Sequence, residues 1–155
     1  MPRSDWDGDK NAKDHGYFIK ACIDRDVARV KAYLDRGYNP DDRRGRDNKA
    51  VFKTHISTAA NWGSEEITRM LITALKEEYR DKPDKYREAL ASTRAALNPI
   101  NRYTNKLLFK DEWKDTMHCL EIVDKELQDS IDTLPVNERR QWQAKYPPLD
   151  GQRYR

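Results

Sequence analysis

Apolar residues return every three or four positions along most of this chain, and no stretch alternates convincingly with a period of two. That spacing predicts helices and gives no sign of a sheet. After a polar leader over residues 1–15, the first stripe runs from Tyr17 and holds Phe18, Ala21 and Cys22. Val27, Val30, Lys31, Tyr33 and Leu34 place a second helix directly behind it. Gly37 stands where a left-handed cap residue is wanted, and Asn39, Pro40 and Asp41 make a turn. Beyond a loop over Asp41–Lys53, Thr54 caps a third helix whose Ile56, Ala59 and Ala60 point inward. Gly63 and Ser64 break that helix. Ser64 then caps a fourth, with Glu66 in its first turn and Ile67, Met70, Leu71 and Leu75 on its core face.

The second half of the chain is helical too. A turn over Asp81–Asp84, containing Pro83, leads into a fifth helix from Lys85 to Leu97, stopped by Asn98 and Pro99. Asp111 to Ile131 reads as a long sixth helix, with Trp113, Met117, Leu120, Val123, Leu127 and Ile131 at heptad-like spacing. A short helix over Asn137–Lys145 precedes Pro147 and Pro148. The expected organisation is one helical domain over residues 16–134 followed by a basic C-terminal tail over residues 135–155.

Composition narrows the architecture. Of 155 residues, 37% are hydrophobic and 37% charged, and the mean hydropathy is -1.09. A thick globule needs more apolar material, whereas a thin layered fold in which each helix buries one face needs no more than this. Four Trp, eight Tyr and three Phe argue against extended disorder. The net charge is only +3, which speaks against nucleic acid or a membrane as the main partner. The excess is local: Arg139, Arg140, Lys145, Arg153 and Arg155 stand against Glu138 and Asp150 in the tail. No apolar run approaches the ~20 residues of a membrane span, and the first residues carry no secretory signal. The chain is expected to be soluble and cytoplasmic, with Cys22 and Cys119 as reduced, buried thiols.

The stretches Gly16–Asp41 and Thr54–Leu75 match each other. Ala21-Cys22 and Ala59-Ala60 are paired small residues 38 positions apart, where neighbouring helices approach closely. Val27, Val30 and Leu34 fall in register with Glu65, Thr68 and Ile72. Gly37 takes a terminal glycine in the first unit, and Gly63 a turn glycine in the second. Both units resemble ankyrin repeats. The family period is about 33 residues, so an insertion of about five would sit in the Arg-rich loop. Thr54-His55-Ile56-Ser57 keeps only part of that family's Thr-Pro-Leu-His start, and the helices after Tyr86 lack its marks. The resemblance covers about residues 16–75. It implies an all-α fold, a short ankyrin-like stack of helix pairs (16–41 and 54–75) capped by divergent helices over residues 84–131.

Motifs for chemistry are sparse. Counted from Asp5, a calcium loop would need Gly and Glu where Lys10 and Gly16 stand. His118 and Cys119 are adjacent, so on a helix they diverge by about 100° and cannot share one zinc ion. The six glycines are scattered singly, without a phosphate loop. No cofactor, metal or catalytic residue is expected, and the chain is expected not to be an enzyme.

The resemblance implies a protein partner, met by loop tips and by the exposed ends of the first helix of each pair. In register these are Ile23 and Asp24, then Asn61 and Trp62. Trp62 is either presented to the partner as a binding hot spot or packed beneath the inserted loop. Arg43, Arg44 and Arg46 either grip a carboxylate-rich surface or are neutralised by Asp41, Asp42 and Asp47. In the alternative reading, Arg139, Arg140, Lys145, Arg153 and Arg155, interleaved with Trp142, Tyr146 and Tyr154, contact nucleic acid. A solubilising tail is the other possibility for that stretch.

Overall fold

The computed structural model describes residues 12–41, 55–100 and 112–149. Among them the fold is all-α: α1 (Ala12–Ile23), α2 (Val27–Asp35), α3 (His55–Asn61), α4 (Glu65–Glu78), α5 (Pro83–Ile100), α6 (Glu112–Asp132) and α7 (Val136–Lys145). No helix among the described residues is long and apolar enough to cross a membrane. Thr54, Asp111, Arg43, Arg44, Arg46, Arg153 and Arg155 lie outside the described residues, as does the side chain of Trp113.

Helices α1 and α2 form one hairpin and α3 and α4 another, with α1 against α3 and α2 against α4. The small residues Ala21, Cys22, Ala59 and Ala60 are fully buried in the core. Phe18 fills one end of the first hairpin, stacked on Tyr38 at 4.5 Å and edge-on to His55 at 4.7 Å. The Tyr38 hydroxyl lies 3.1 Å from His55 Nε2, so both polar groups are satisfied within the core. Helices α5 and α6 pack on each other most extensively and both meet α3, while α6 also covers α4. The α6 stripe of Met117, Leu120, Val123, Leu127 and Ile131 is buried as its spacing requires.

The two hairpins repeat each other in backbone detail. At the end of α1, Arg25 N–H donates to the Cys22 carbonyl and Asp26 N–H to the Ala21 carbonyl, with Arg25 at φ +57°. Thirty-eight positions on, Gly63 donates to Ala60 and Ser64 to Ala59, with Gly63 at φ +74°. Each is a left-handed helix cap with paired bonds. The next residue then caps the following helix: Asp26 Oδ1 accepts from Arg29 N–H at 3.1 Å, and Ser64 Oγ from Ile67 N–H at 3.3 Å. One turn design therefore serves both hairpins.

Three boundaries differ from the sequence expectation. Helix α1 begins at Ala12, five residues before Tyr17: Ala12 and Lys13 are good helix formers, but residues 12–16 carry no apolar stripe for periodicity to reveal. Helix α5 begins at Pro83, where a first-turn proline loses no hydrogen bond, and Asp84 suits the positive end of the helix. It also runs through Asn98 and Pro99 to Ile100. Proline has no N–H, so Pro99 removes one bond from that last turn.

The basic stretch at the C terminus is docked through Leu149. Trp142, Tyr146 and Leu149 pack against the core, although α7 itself buries no residue completely.

A further network joins α4, α5 and α6. The Tyr86 hydroxyl donates to Glu126 Oε1 at 3.0 Å, and Lys76 Nζ sits 2.9 Å from the same oxygen. Burial, and then the Glu126 carboxylate, push the Tyr86 phenol far above its ordinary value of 10.0. Burial alone would raise Glu126, but hydrogen bonds from Lys76 and Tyr86 hold it below the usual carboxylate range. A phenol raised in the folded state contributes stability that is complete below pH 10 and falls as pH rises further, because the unfolded chain ionises first. The loss is at most about 1.4 kcal/mol per pH unit. Urea midpoints measured from pH 8 to 11 should therefore fall more steeply for the wild type than for Tyr86→Phe.

Candidate functional site

The turns that end α1 and α3 meet. The guanidinium of Arg25 reaches across and donates to the carbonyl oxygen of Trp62. Thr116 Oγ1, from α6, donates to the neighbouring carbonyl of Asn61 at 3.1 Å. A helix ends with carbonyls that lack partners inside it, so these two side chains complete α3 from outside. Gly63 fits closely between them: a Cβ there would come within 2.9 Å of Asp115 Cβ and 3.1 Å of Arg25 Nη2. The backbone that carries Trp62 is thus fixed from the α1–α2 turn and from α6.

On this pinned turn Trp62 is 44% exposed. Of the other residues expected at the site, Asp24 is exposed and paired with Lys20 at 3.1 Å. Ile23 and Asn61 are half-buried. The contact between Arg25 and Trp62 brings all four positions to one end of the paired hairpins. Beside them, Glu65 Oε2 lies 2.9 Å from Arg69 Nε, and Glu65 Oε1 lies 2.8 Å from His118 Nε2. The Arg69 hydrogen bond, with His118 adding to it, keeps the Glu65 carboxyl below its ordinary value. The turn thus presents an exposed aromatic, and the helix that follows it opens with the charged side chains of Glu65 and Arg69.

The chain matches no family model, no curated protein and no solved structure. Function therefore rests on the chemistry of the surfaces.

The basic residues of the C-terminal stretch are arranged differently. Arg140 and Lys145 are exposed and Arg139 is half-buried on α7. Two of the rings that would stack on bases are engaged within the protein: Arg87 lies 5.4 Å from the Trp142 ring centre and Arg94 5.8 Å from that of Tyr146, while Tyr154 lies outside the described residues.

A cleft of ≈ 380 Å³ lies beside Tyr79, Tyr86, Glu126 and Asp129. Its charges already have partners, Lys76 with Glu126, Arg80 with Glu77 and Lys125 with Asp129. Cys22 and Cys119 are buried free thiols, and burial pushes the Cys22 thiol up to about 12, so it carries little thiolate near neutral pH. Among the described residues, no group of three or more His, Cys, Asp or Glu could hold a metal ion.

Sequence reasoning missed Arg25, Thr116 and the Glu65 pairings. A signal existed for the first: Arg25 stands 38 positions before Gly63, so the register alone places a side chain at a left-handed turn.

Proposed function

We propose that the protein is a protein-binding module of ankyrin-like build, an adaptor or inhibitor rather than a catalyst. The paired turns of α1–α2 and α3–α4 are the surface it offers to a partner protein. The observation that carries this reading is Trp62, a large aromatic left substantially exposed on a backbone fixed by Arg25, Thr116 and the tight fit of Gly63. A rigid exposed aromatic loses little entropy on binding, and such residues dominate interface energies. The mixed charges of Asp24, Glu65, Arg69 and His118 give the rim its polarity.

Trp62→Ala tests the reading, because an exposed side chain can be removed with little effect on folding. Tagged wild-type and variant proteins would be used for affinity capture from native lysate, with nuclease present, and the bound proteins quantified. One protein should be retained by the wild type and depleted at least tenfold with Trp62→Ala, in line with a hot-spot loss of about 2 kcal/mol. A bound set that Trp62→Ala leaves unchanged, or one that disappears with nuclease and salt, would overturn the proposal.

A further inference from the structure

Residues 142–149 lie against α5 and α6 in a manner that resembles a bound peptide. Arg87 and Arg94 are seven positions apart on α5, two helical turns, and so share one face. Trp142 and Tyr146 are four apart at the end of α7 and stack at 5.6 Å. Each arginine faces one of these rings, Arg87 the Trp142 ring and Arg94 the Tyr146 ring. Cation–π contacts of this kind favour aromatic residues at both positions.

Past the rings, the chain is held by its backbone. Gln128 Nε2 donates to the Tyr146 carbonyl at 2.9 Å, and Arg94 Nη2 to the Pro147 carbonyl at 2.7 Å. The Leu149 N–H donates to Asp124 Oδ2 at 2.9 Å. Arg94 and Asp124 also pair with each other, Nη1 to Oδ1 at 2.8 Å, and both side chains are only 6% exposed. The buried pair therefore also holds the docked segment, Arg94 through Nη2 and Asp124 through Oδ2. Backbone groups are common to every extended peptide, while the pockets beside them choose the side chains.

We infer that the α5–α6 face is a docking groove for a partner segment in which two aromatic residues four positions apart are followed by an extended, proline-containing run. Residues 142–149 of this chain are its resident occupant and compete with the partner for it. Because the occupant is tethered through the turn at Thr133–Pro135, its effective concentration is on the order of millimolar, so only a strong or abundant partner displaces it.

The probe is a fluorescent synthetic peptide with the sequence of residues 142–149, titrated against the full chain. Tyr146→Ala combined with Leu149→Pro weakens the resident segment, the first by removing a ring and the second by removing an N–H, and leaves the groove residues intact. This variant should bind the peptide at least tenfold more tightly than the wild type does. Adding Arg94→Lys should abolish that gain, since a lysine cannot serve Asp124 and the Pro147 carbonyl together in the same planar geometry. Equal binding to the double variant and the wild type would overturn the inference. Hydrogen exchange on the wild type gives a second test that needs no substitution. Millimolar peptide should speed exchange at Leu149 while the central amides of α5 and α6 stay protected. Loss of protection at Leu149 only together with α5 and α6 would show that the groove never empties in the folded protein.

Discussion

Asp124→Ala should lower the stability of the protein by about 3–5 kcal/mol, the cost of leaving one member of a buried ion pair without its partner. The partner in this case is Arg94, which keeps its positive charge and stays almost wholly enclosed when the carboxylate is gone. Asp124 also accepts from the Leu149 N–H and from Gln128, so the same substitution loosens the docked C-terminal stretch. At 2–4 °C per kcal/mol for a chain of this size, Tm should fall by roughly 6–20 °C. Replacing both members, as Arg94→Met with Asp124→Leu, should cost less than the single substitution, because no unpaired charge remains. Thermal unfolding of the three proteins checks this. A double variant less stable than Asp124→Ala would mean that the attraction between the charges, rather than the burden of an orphaned one, dominates.

Gly63→Ala should cost about 2–5 kcal/mol for two separate reasons. At φ +74° a side chain meets the following carbonyl, which costs about 1–2 kcal/mol. The new methyl would also press on Asp115 Cβ from 2.9 Å, an overpacking of about 1–3 kcal/mol in a turn already fixed by Arg25 and Thr116. Arg25 occupies the same conformation at the equivalent place in the first hairpin, where its guanidinium gains the Trp62 carbonyl. A methyl group at the second turn would gain no such partner. Urea unfolding of Gly63→Ala gives the number, and a change below about 0.5 kcal/mol would show that the turn is neither strained nor tightly packed.

The helices were legible in the sequence wherever their signal is local. Ser64 caps α4 because a side-chain oxygen reaches the backbone three residues on, and Gly37 ends α2 because a left-handed residue is needed there. The stripes of α4 and α6 state their buried faces directly. What was illegible depends on residues far apart in the chain. Arg94 finds Asp124 30 positions away and the Pro147 carbonyl 53 away, and no periodicity announces either. The C-terminal stretch therefore read as a charged tail, although its aromatic residues rest on two arginines of α5. The extra first turn of α1 was invisible for the opposite reason, since residues 12–16 offer no apolar pattern to detect. At the candidate site, Trp62 was legible as an aromatic beside a helix-ending glycine. The side chains that hold it, Arg25 from one hairpin and Thr116 from α6, were not.

The most direct test of a protein-binding surface at the paired turns is site-specific photocrosslinking in native lysate. One crosslinker replaces Asp24, the register counterpart of Trp62 at the end of α1, and another replaces Val136, which is 49% exposed on α7. With nuclease present, a single protein adduct should form from position 24 and fail to form from position 136, and Trp62→Ala in the same chain should remove it. Adducts of equal yield from both positions, or an adduct from position 24 that persists without Trp62, would contradict the account.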